Sequence, residues 1–246
     1  MPDNTLVVKA FIGLTWDRRK DASGALNPLA PVKGWMLQGE VGYAPPALNA
    51  IPFVVFKGQA QGIVPFSIRG HEFTLMGNLR YDHGLPTDTP ALPLVERFYA
   101  GGDTQVRGYD TDSLKSEIVP STVSPLPGPN AFRVVPEGGN IRLVNTVELW
   151  FPIAKSFLGL PIQWGGSVFW DMGMILDRWD LVKTSDVKHS IGVSVLRLMT
   201  PVGALSIEYA YPLVQTLAEE RWKTAPWYTH FPGRIHFNWG IPLSLL

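Results

Sequence analysis

Apolar residues in this chain recur at every second position rather than every third or fourth, the period of strands whose successive side chains point to opposite faces. Nine segments carry the pattern. Leu6, Val8, Ala10, Ile12, Leu14 and Trp16 alternate with Lys9, Gly13 and Thr15. Trp35, Leu37, Gly39, Val41 and Tyr43 oppose Gln38 and Glu40; Val54, Phe56, Gly58 and Ala60 oppose Lys57, Gln59 and Gln61. Phe73, Leu75, Gly77, Leu79 and Tyr81 stand against Glu72, Thr74, Asn78 and Arg80. After a long stretch without a period, Ile141, Leu143, Val147, Leu149 and Phe151 oppose Arg142, Thr146 and Glu148, with Asn145 the exception on the apolar face. Val168, Trp170 and Met172 oppose Ser167, Phe169 and Asp171; His189, Ile191, Val193 and Val195 oppose Ser190, Gly192 and Ser194. Leu205, Ile207, Tyr209 and Tyr211 oppose Ser206, Glu208 and Ala210, and the last segment sets Ile235, Phe237, Trp239 and Ile241 against Arg234, His236, Asn238 and Gly240. At about ten residues each, these segments have the length of a tilted strand that crosses a bilayer.

Alternation does not say which face is inside. A soluble sandwich turns its large apolar residues inward, whereas a membrane barrel turns them out to lipid. Two features favour the barrel. Tight connections, Ile63 to His71 and Thr200 to Ala204, alternate with long ones, Asp82 to Asn140 and Tyr211 to Gly233, as in barrels with short turns at one rim and long loops at the other. Trp16, Trp35, Tyr43, Tyr81, Trp150 and Tyr211 lie at or near segment ends, where an aromatic girdle would sit.

Composition narrows the classes further. The 246 residues carry 21 Lys+Arg against 21 Asp+Glu, so a nucleic-acid binder relying on counterion release has no basic excess to work with. Charged residues make up 17%, below the roughly 25% of an average soluble domain. There is no cysteine, hence no disulfide framework or thiolate metal site. The hydrophobic share of 46% is too high for a disordered chain. No stretch offers the roughly 20 continuous apolar residues of a spanning helix, and the opening Met1 to Lys20, with Asp3 and Asn4 ahead of a short apolar run, lacks the plan of an export signal.

Several site chemistries find no support. The histidines His71, His83, His189, His230 and His236 show no pair at metal-binding spacing, so no metal or other cofactor is expected. Gly101-Gly102 lacks the Lys-Ser/Thr of a phosphate loop, and no Gly-x-Ser-x-Gly elbow supplies a hydrolase nucleophile. The chain is therefore read as non-enzymatic. Asp17, Arg18 and Arg19 are as readily solvated turn charges as anything specific, and Pro120 to Pro129 reads as a stiff loop rather than an SH3-type ligand.

The connection 82–140 is too long to be passive in a compact fold. Its centre, Arg97-Phe98-Tyr99-Ala100-Gly101-Gly102-Asp103-Thr104-Gln105-Val106-Arg107-Gly108-Tyr109, presents an arginine among glycines and aromatics. Such an arginine can fork onto carboxylates if some lie nearby. The run resembles the loop signature of the BamA/TamA-type outer-membrane assembly and translocation barrels (the bacterial surface antigen family), whose core is Val-Arg-Gly-Phe/Tyr, here Val106-Arg107-Gly108-Tyr109. Further likenesses fall in register: Thr15 to Arg19 with Asn27-Pro28-Leu29 and Gly34-Trp35, then Phe169-Trp170-Asp171-Met172-Gly173, then Ser194 to Pro212 with Thr200-Pro201-Val202-Gly203 and Glu208 to Pro212.

The resemblance implies an all-β, antiparallel transmembrane β-barrel. About nine strands in 1–246 correspond to the C-terminal part of a sixteen-stranded barrel, with the extracellular loop 82–140 folding into the lumen. It implies that Arg107 pairs with acidic residues on the next two strands, at positions that match Glu148 and Asp171. The alternation independently puts both on the polar face, where they could equally serve only to hydrate a lumen. Gly101, Gly102, Asp103, Val106, Gly108 and Tyr109 complete the expected loop motif. Family members work at a seam between first and last strands, here the strand of Ile235, Phe237 and Trp239, although Pro242 and a final Leu246 depart from the family pattern. The implied function is assembly, insertion or translocation of outer-membrane proteins. The implied partners are the lipid bilayer and unfolded outer-membrane protein clients, in the bacterial outer membrane. The alternatives are a passive pore or an anchor for a patatin-like or other passenger domain, and, from another class, a soluble β-rich binding module. Nine strands fall short of sixteen, so the sequence reads as a truncated product, one chain of a split gene, or a half-barrel closed by a second barrel-completing chain or as a homo-oligomer.

Overall fold

The computed structural model describes residues 6–27, 31–103, 105–120, 132–154, 156, 158–159, 163–200, 203–216 and 233–240. Its strands are β1 (Ala10–Asp17), β2 (Gly34–Ala44), β3 (Phe53–Ile68), β4 (His71–Pro86), β5 (Ser116–Pro120), β6 (Phe132–Pro136), β7 (Ile141–Ala154), β8 (Gln163–Leu176), β9 (Lys188–Thr200), β10 (Gly203–Pro212) and β11 (Arg234–Gly240). Nine of them form one antiparallel meander in the order β1-β2-β3-β4-β7-β8-β9-β10-β11. The nine alternating segments fall in these strands, except that Leu6, Val8 and Lys9 precede β1 and Ile241 lies outside the described residues. The sheet is open among the described residues, with β1 and β11 at its two edges. No helix among them is long and apolar enough to cross a membrane.

Local chemistry explains where strands outrun their segments. β3 and β4 stay paired from Ile63↔Met76 to Ile68↔His71, around a two-residue turn in which Arg69 and Gly70 both take positive φ, 52° and 80°. That is the hairpin turn whose twist matches the flanking strands. Pro65 makes the sequence look broken there, but the β2 ladder ends at Gly34↔Ile63, so Pro65 lies where β3 has outrun β2 and one of its edges is unpaired. In β9 the register against β10 slips between Ile207 and Glu208, so the alternation breaks after Val195 while the strand runs on to Thr200.

The long connection needs correction in the same way. Asp82 is not loop: β4 continues to Pro86, which leaves residues 87–140 as the connection. Nor is that connection irregular, since it holds a turn of 3₁₀ helix (Leu94–Glu96) and the β5–β6 ladder, Ser116↔Pro136 to Pro120↔Phe132. The proline tract beyond Pro120, like Pro242 and Leu246, lies outside the described residues. At the opposite rim, the 18–33 connection is longer than a tight turn, and Arg19 in it is buried rather than solvated, forked onto Asp17 with Nη1 donating to Gln61 Oε1 at 2.7 Å.

The two faces of the sheet are inverted relative to a soluble protein. On one face Ile12, Leu14, Leu37, Phe56, Leu75, Leu79, Val168, Ile191 and Val195 are exposed. On the other, Asp82, Glu148, Asp171, Ser190 and Glu208 are buried. Monomeric soluble proteins rarely expose contiguous apolar patches beyond a few hundred Å², and here the exposed side chains extend across the whole nine-stranded sheet. A medium that accepts hydrocarbon and rejects unpaired backbone groups must lie against that face. Within it Trp16 and Trp35 meet edge to face at 5.0 Å, and Trp170 stacks on His189 at 5.6 Å.

The face assignment is testable strand by strand. Single cysteines placed along β4 in the bilayer-reconstituted protein should react with a water-soluble maleimide at Asn78 and Arg80. A lipid-soluble quencher should report contact at Leu75 and Leu79. Loss of the two-residue alternation, or its reversal, would refute the assignment.

Candidate functional site

The polar face of β7 to β10 is sterically graded. β7 offers Thr146 and Glu148, β8 offers Phe169 and Asp171, and β10 offers Glu208. Between β8 and β10, β9 contributes only Ser190, Gly192 and Ser194 to that face. A Cβ at Gly192 would collide with the Phe169 ring, so glycine there is what lets the ring lean across β9. The result is a low shelf walled by three acidic side chains.

Arg107 occupies that shelf. Its Nε and Nη2 donate to the two oxygens of Asp171 at 2.8 and 2.9 Å, a bidentate fork. Nη1 reaches Glu148 Oε2 at 3.3 Å and Glu208 Oε2 at 3.0 Å. The guanidinium lies 3.3 Å from the Phe169 ring centroid, stacked on its face. The backbone N–H of Arg107 also donates to Asp171 Oδ2 at 3.0 Å, so main chain and side chain dock on one residue. Arg107 is 7% exposed, Glu148 4% and Asp171 0%. Burial alone would lower the arginine's pKa, but the facing carboxylates, Asp171 above all, outweigh it, and the group is held above its ordinary value. With a raised pKa the stabilisation is complete below the ordinary arginine range, so Arg107 stays charged at every pH the protein meets.

The flanking motif residues fit the loop around this contact. Gly101, Gly102 and Gly108 take φ of 121°, 95° and 96°. At Gly108 the need is steric as well, because an added Cβ would sit 3.0 Å from Ser190 Cβ. Val106 and Tyr109 are fully buried and join Ala100, Leu114, Val144 and Ile175 in one apolar cluster beneath the loop. Room for that cluster comes from Gly173 on β8, where a Cβ would lie 2.6 Å from both Val106 and Leu114 side chains. The Tyr109 hydroxyl lies 2.7 Å from the His189 carbonyl and 2.8 Å from that of Val214. Asp103 is exposed and stands apart from the cluster. Ile235 and Phe237 are exposed on the apolar face of β11, away from Arg107, and the Trp239 side chain lies outside the described residues.

Three contributors escape the sequence reading. Glu208 is a full partner of Arg107, and its place on the polar face was available from the alternation, but its reach across β9 depends on strand adjacency. A second docking point holds the start of the loop. Arg142 brings Nε and Nη2 to one oxygen of Asp82, Oδ2, each at 2.6 Å, and donates through Nη1 to the Tyr99 carbonyl at 2.9 Å. Asn140 accepts from Leu92 N–H at 2.8 Å and donates to the Pro90 carbonyl at 2.8 Å. Among the described residues no group of three or more His, Asp or Glu side chains is placed to hold a metal ion.

Comparison with known proteins converges on one family. The model described as "Omp85 superfamily domain" matches residues 4–242. Over 127 residues, 50% of this chain, the sequence is 30% identical to the outer membrane protein assembly factor BamA of Nitratidesulfovibrio vulgaris (strain Hildenborough), of which the match covers 13%. The crystal structure of BamA from Haemophilus ducreyi lacking POTRA domains 1-3 superposes with a TM-score of 0.60 at 17% identity, over 92% of this chain and 41% of that one. The chain thus spans well under half the length of either protein, and the structural likeness is one of fold.

Removing the guanidinium leaves three buried carboxylates facing one another. Arg107→Ala is expected to cost about 3–5 kcal/mol, the range for breaking a buried pair from one side, and Arg107→Lys to recover only part because an ammonium cannot make the fork. Gly173→Val should displace Val106 and cost about 1–3 kcal/mol by overpacking. Urea unfolding of the reconstituted protein measures all three; wild-type stability for Arg107→Ala would show that the cluster holds nothing.

Proposed function

The chain belongs to the Omp85 superfamily, and from that premise we propose that it is the C-terminal part of an outer-membrane β-barrel that assembles, inserts or translocates other outer-membrane proteins. In this reading the apolar face meets the lipid of the bacterial outer membrane and the polar face lines the lumen. The connection 87–140 is then an extracellular loop folded inward and pinned through Arg107, with Gly101 to Tyr109 as its docking motif. The rim that holds the Arg69–Gly70 turn faces the periplasm. Clients are unfolded outer-membrane proteins, engaged along the strand that carries Ile235, Phe237 and Trp239, where exposed edge groups can template an incoming strand.

The observation that carries the reading is the loop arginine buried against Asp171, Glu148 and Glu208 on a sheet whose apolar side faces outward. A loop that fills the polar face of β7 to β10 suits a shaped, gated interior better than a wide passive pore. The pore and passenger-anchor readings rest on no comparable contact.

In cells that depend on the protein, Arg107→Ala is expected to lower the amounts of other outer-membrane barrels while the variant itself still reaches the membrane. Quantitative immunoblotting of outer-membrane fractions gives the answer. Unchanged client levels with a displaced loop would overturn the assembly reading, and a large steady conductance of the wild-type protein in planar bilayers would favour the pore.

A further inference from the structure

Of the ion pairs outside the Arg107 cluster, two join the loop to the edges of the sheet, one at each edge. Lys9, the residue before β1, places Nζ 2.7 Å from Glu96 Oε2, with both side chains 19% exposed. The same segment is held twice more: Val8 N–H donates to Asn49 Oδ1 at 2.8 Å, and Asn49 Nδ2 donates back to the Val8 carbonyl at 2.9 Å. Val7 packs on the apolar cluster of Ala44, Phe53, Val55, Leu92 and Phe98, so the loop's first turn and the approach to β1 share one core. At the other edge Arg234, the first residue of β11, places Nη2 2.8 Å from Asp110 Oδ1. Asp110 follows Tyr109, whose hydroxyl reaches the His189 carbonyl of β9 and the Val214 carbonyl just after β10.

From this arrangement we infer that the loop is a strap across the polar face: Glu96 and Asp110 are positioning residues that tie it, through Lys9 and Arg234, to both edges of the sheet. The inference deepens the proposed function, since it assumes that the loop pinned at Arg107 governs the barrel. Its physical content is mechanical. Arg107 fixes the strap to β7, β8 and β10, close to its Asp110 end; the outer pairs carry that fix to β1 and β11, the strands along which any further strand must add. Partly exposed pairs contribute little to overall stability, but they act on position at both ends of a segment already clamped at Arg107. Undocking Arg107 therefore releases both edges together, and releasing one end frees one edge.

The test measures edge-to-edge distance directly. The chain has no cysteine, so spin labels at Ile12→Cys on β1 and Phe237→Cys on β11, both exposed, report on the two edges alone. In the intact protein in phospholipid vesicles, pulsed dipolar spectroscopy should give one narrow distance for the otherwise unchanged protein. Glu96→Lys or Asp110→Arg should raise the population outside that distance about two- to fivefold, the factor a partly exposed ion pair supplies. The reciprocal swaps, Glu96→Lys with Lys9→Glu and Asp110→Arg with Arg234→Asp, should restore the narrow distance. Arg107→Ala should broaden it most. If Arg107→Ala broadens the distance but the charge reversals leave it unchanged, the strap is wrong and the pinned loop stands. If Arg107→Ala leaves it unchanged as well, the proposed role of the loop fails with it.

Discussion

The rest of this structure depends on one buried guanidinium shared among three carboxylates. Glu148, Asp171 and Glu208 come from three strands, and all three are buried. Without a cation they would repel one another in a region of low dielectric, where like charges are poorly screened. Arginine suits the place and lysine does not. Its planar fork meets both oxygens of Asp171, its remaining nitrogen spans Glu148 and Glu208, and its flat face rests on Phe169. Because the cation comes from the loop and the anions from the sheet, neither is electrostatically complete alone. A loop of this length would ordinarily be a site of conformational freedom. Here the charge balance of the wall is what denies it that freedom.

A second constraint, the inversion of the two faces, explains why such a cluster can exist at all. In a soluble sandwich the interior belongs to apolar side chains, and an ion cluster would displace them at a desolvation cost seldom regained. In this sheet the apolar side chains have been sent to the opposite face, which leaves the polar face to hold Glu40 with Lys57, Gln59 with Asn78, Asp82 with Arg142, and the Arg107 cluster. The small apolar cores that do form, such as Ala44, Phe53, Val55, Leu92 and Phe98, pack under the loop rather than through the sheet. Packing and electrostatics thus act on the same segment together, at its start beside Leu92 and Glu96 and again around Arg107.

The sheet was largely legible in the sequence because alternation is a local property: every segment read from Ile12 to Phe237 lies in a strand, and its faces are those the period assigns. Strand lengths were less legible. Pro65 and the slip in β9 interrupt the period without interrupting the strand, and both are tolerated for reasons that involve a neighbouring strand. The loop motif was legible as a resemblance, and Arg107, Glu148 and Asp171 were singled out on that ground. Glu208, Arg142, Asp82 and Arg19 were not, since each acquires its role from a partner 60 or more positions away or from a turn that folds back on the sheet. Asp82 is the instructive case. It sits at the end of the alternating segment, where sequence alone reads the start of a loop, and the ladders that pair it with Lys57 and Arg142, the first running on to Phe53↔Pro86, show that the strand continues through it.

Parity limits what can complete the sheet. In an up-and-down meander of nine strands the first and last run in the same direction, so β1 and β11 are parallel. Joining them directly would make a parallel seam in an otherwise antiparallel wall. A second copy in the same transmembrane orientation does no better, because its own β1 and β11 run the same way as those they would meet. A copy in the opposite orientation would place its long loops at the wrong rim. Antiparallel closure therefore requires an odd number of additional strands, whether from the same polypeptide or another chain, and seven would complete sixteen. A self-pairing homodimer is the least favoured way to cover the edges, each unpaired group of which costs several kcal/mol in hydrocarbon. The same parity puts the start of β1 and the start of β11 at one rim, the rim of the long loop. That is why a single strap can reach Lys9 at one edge and Arg234 at the other.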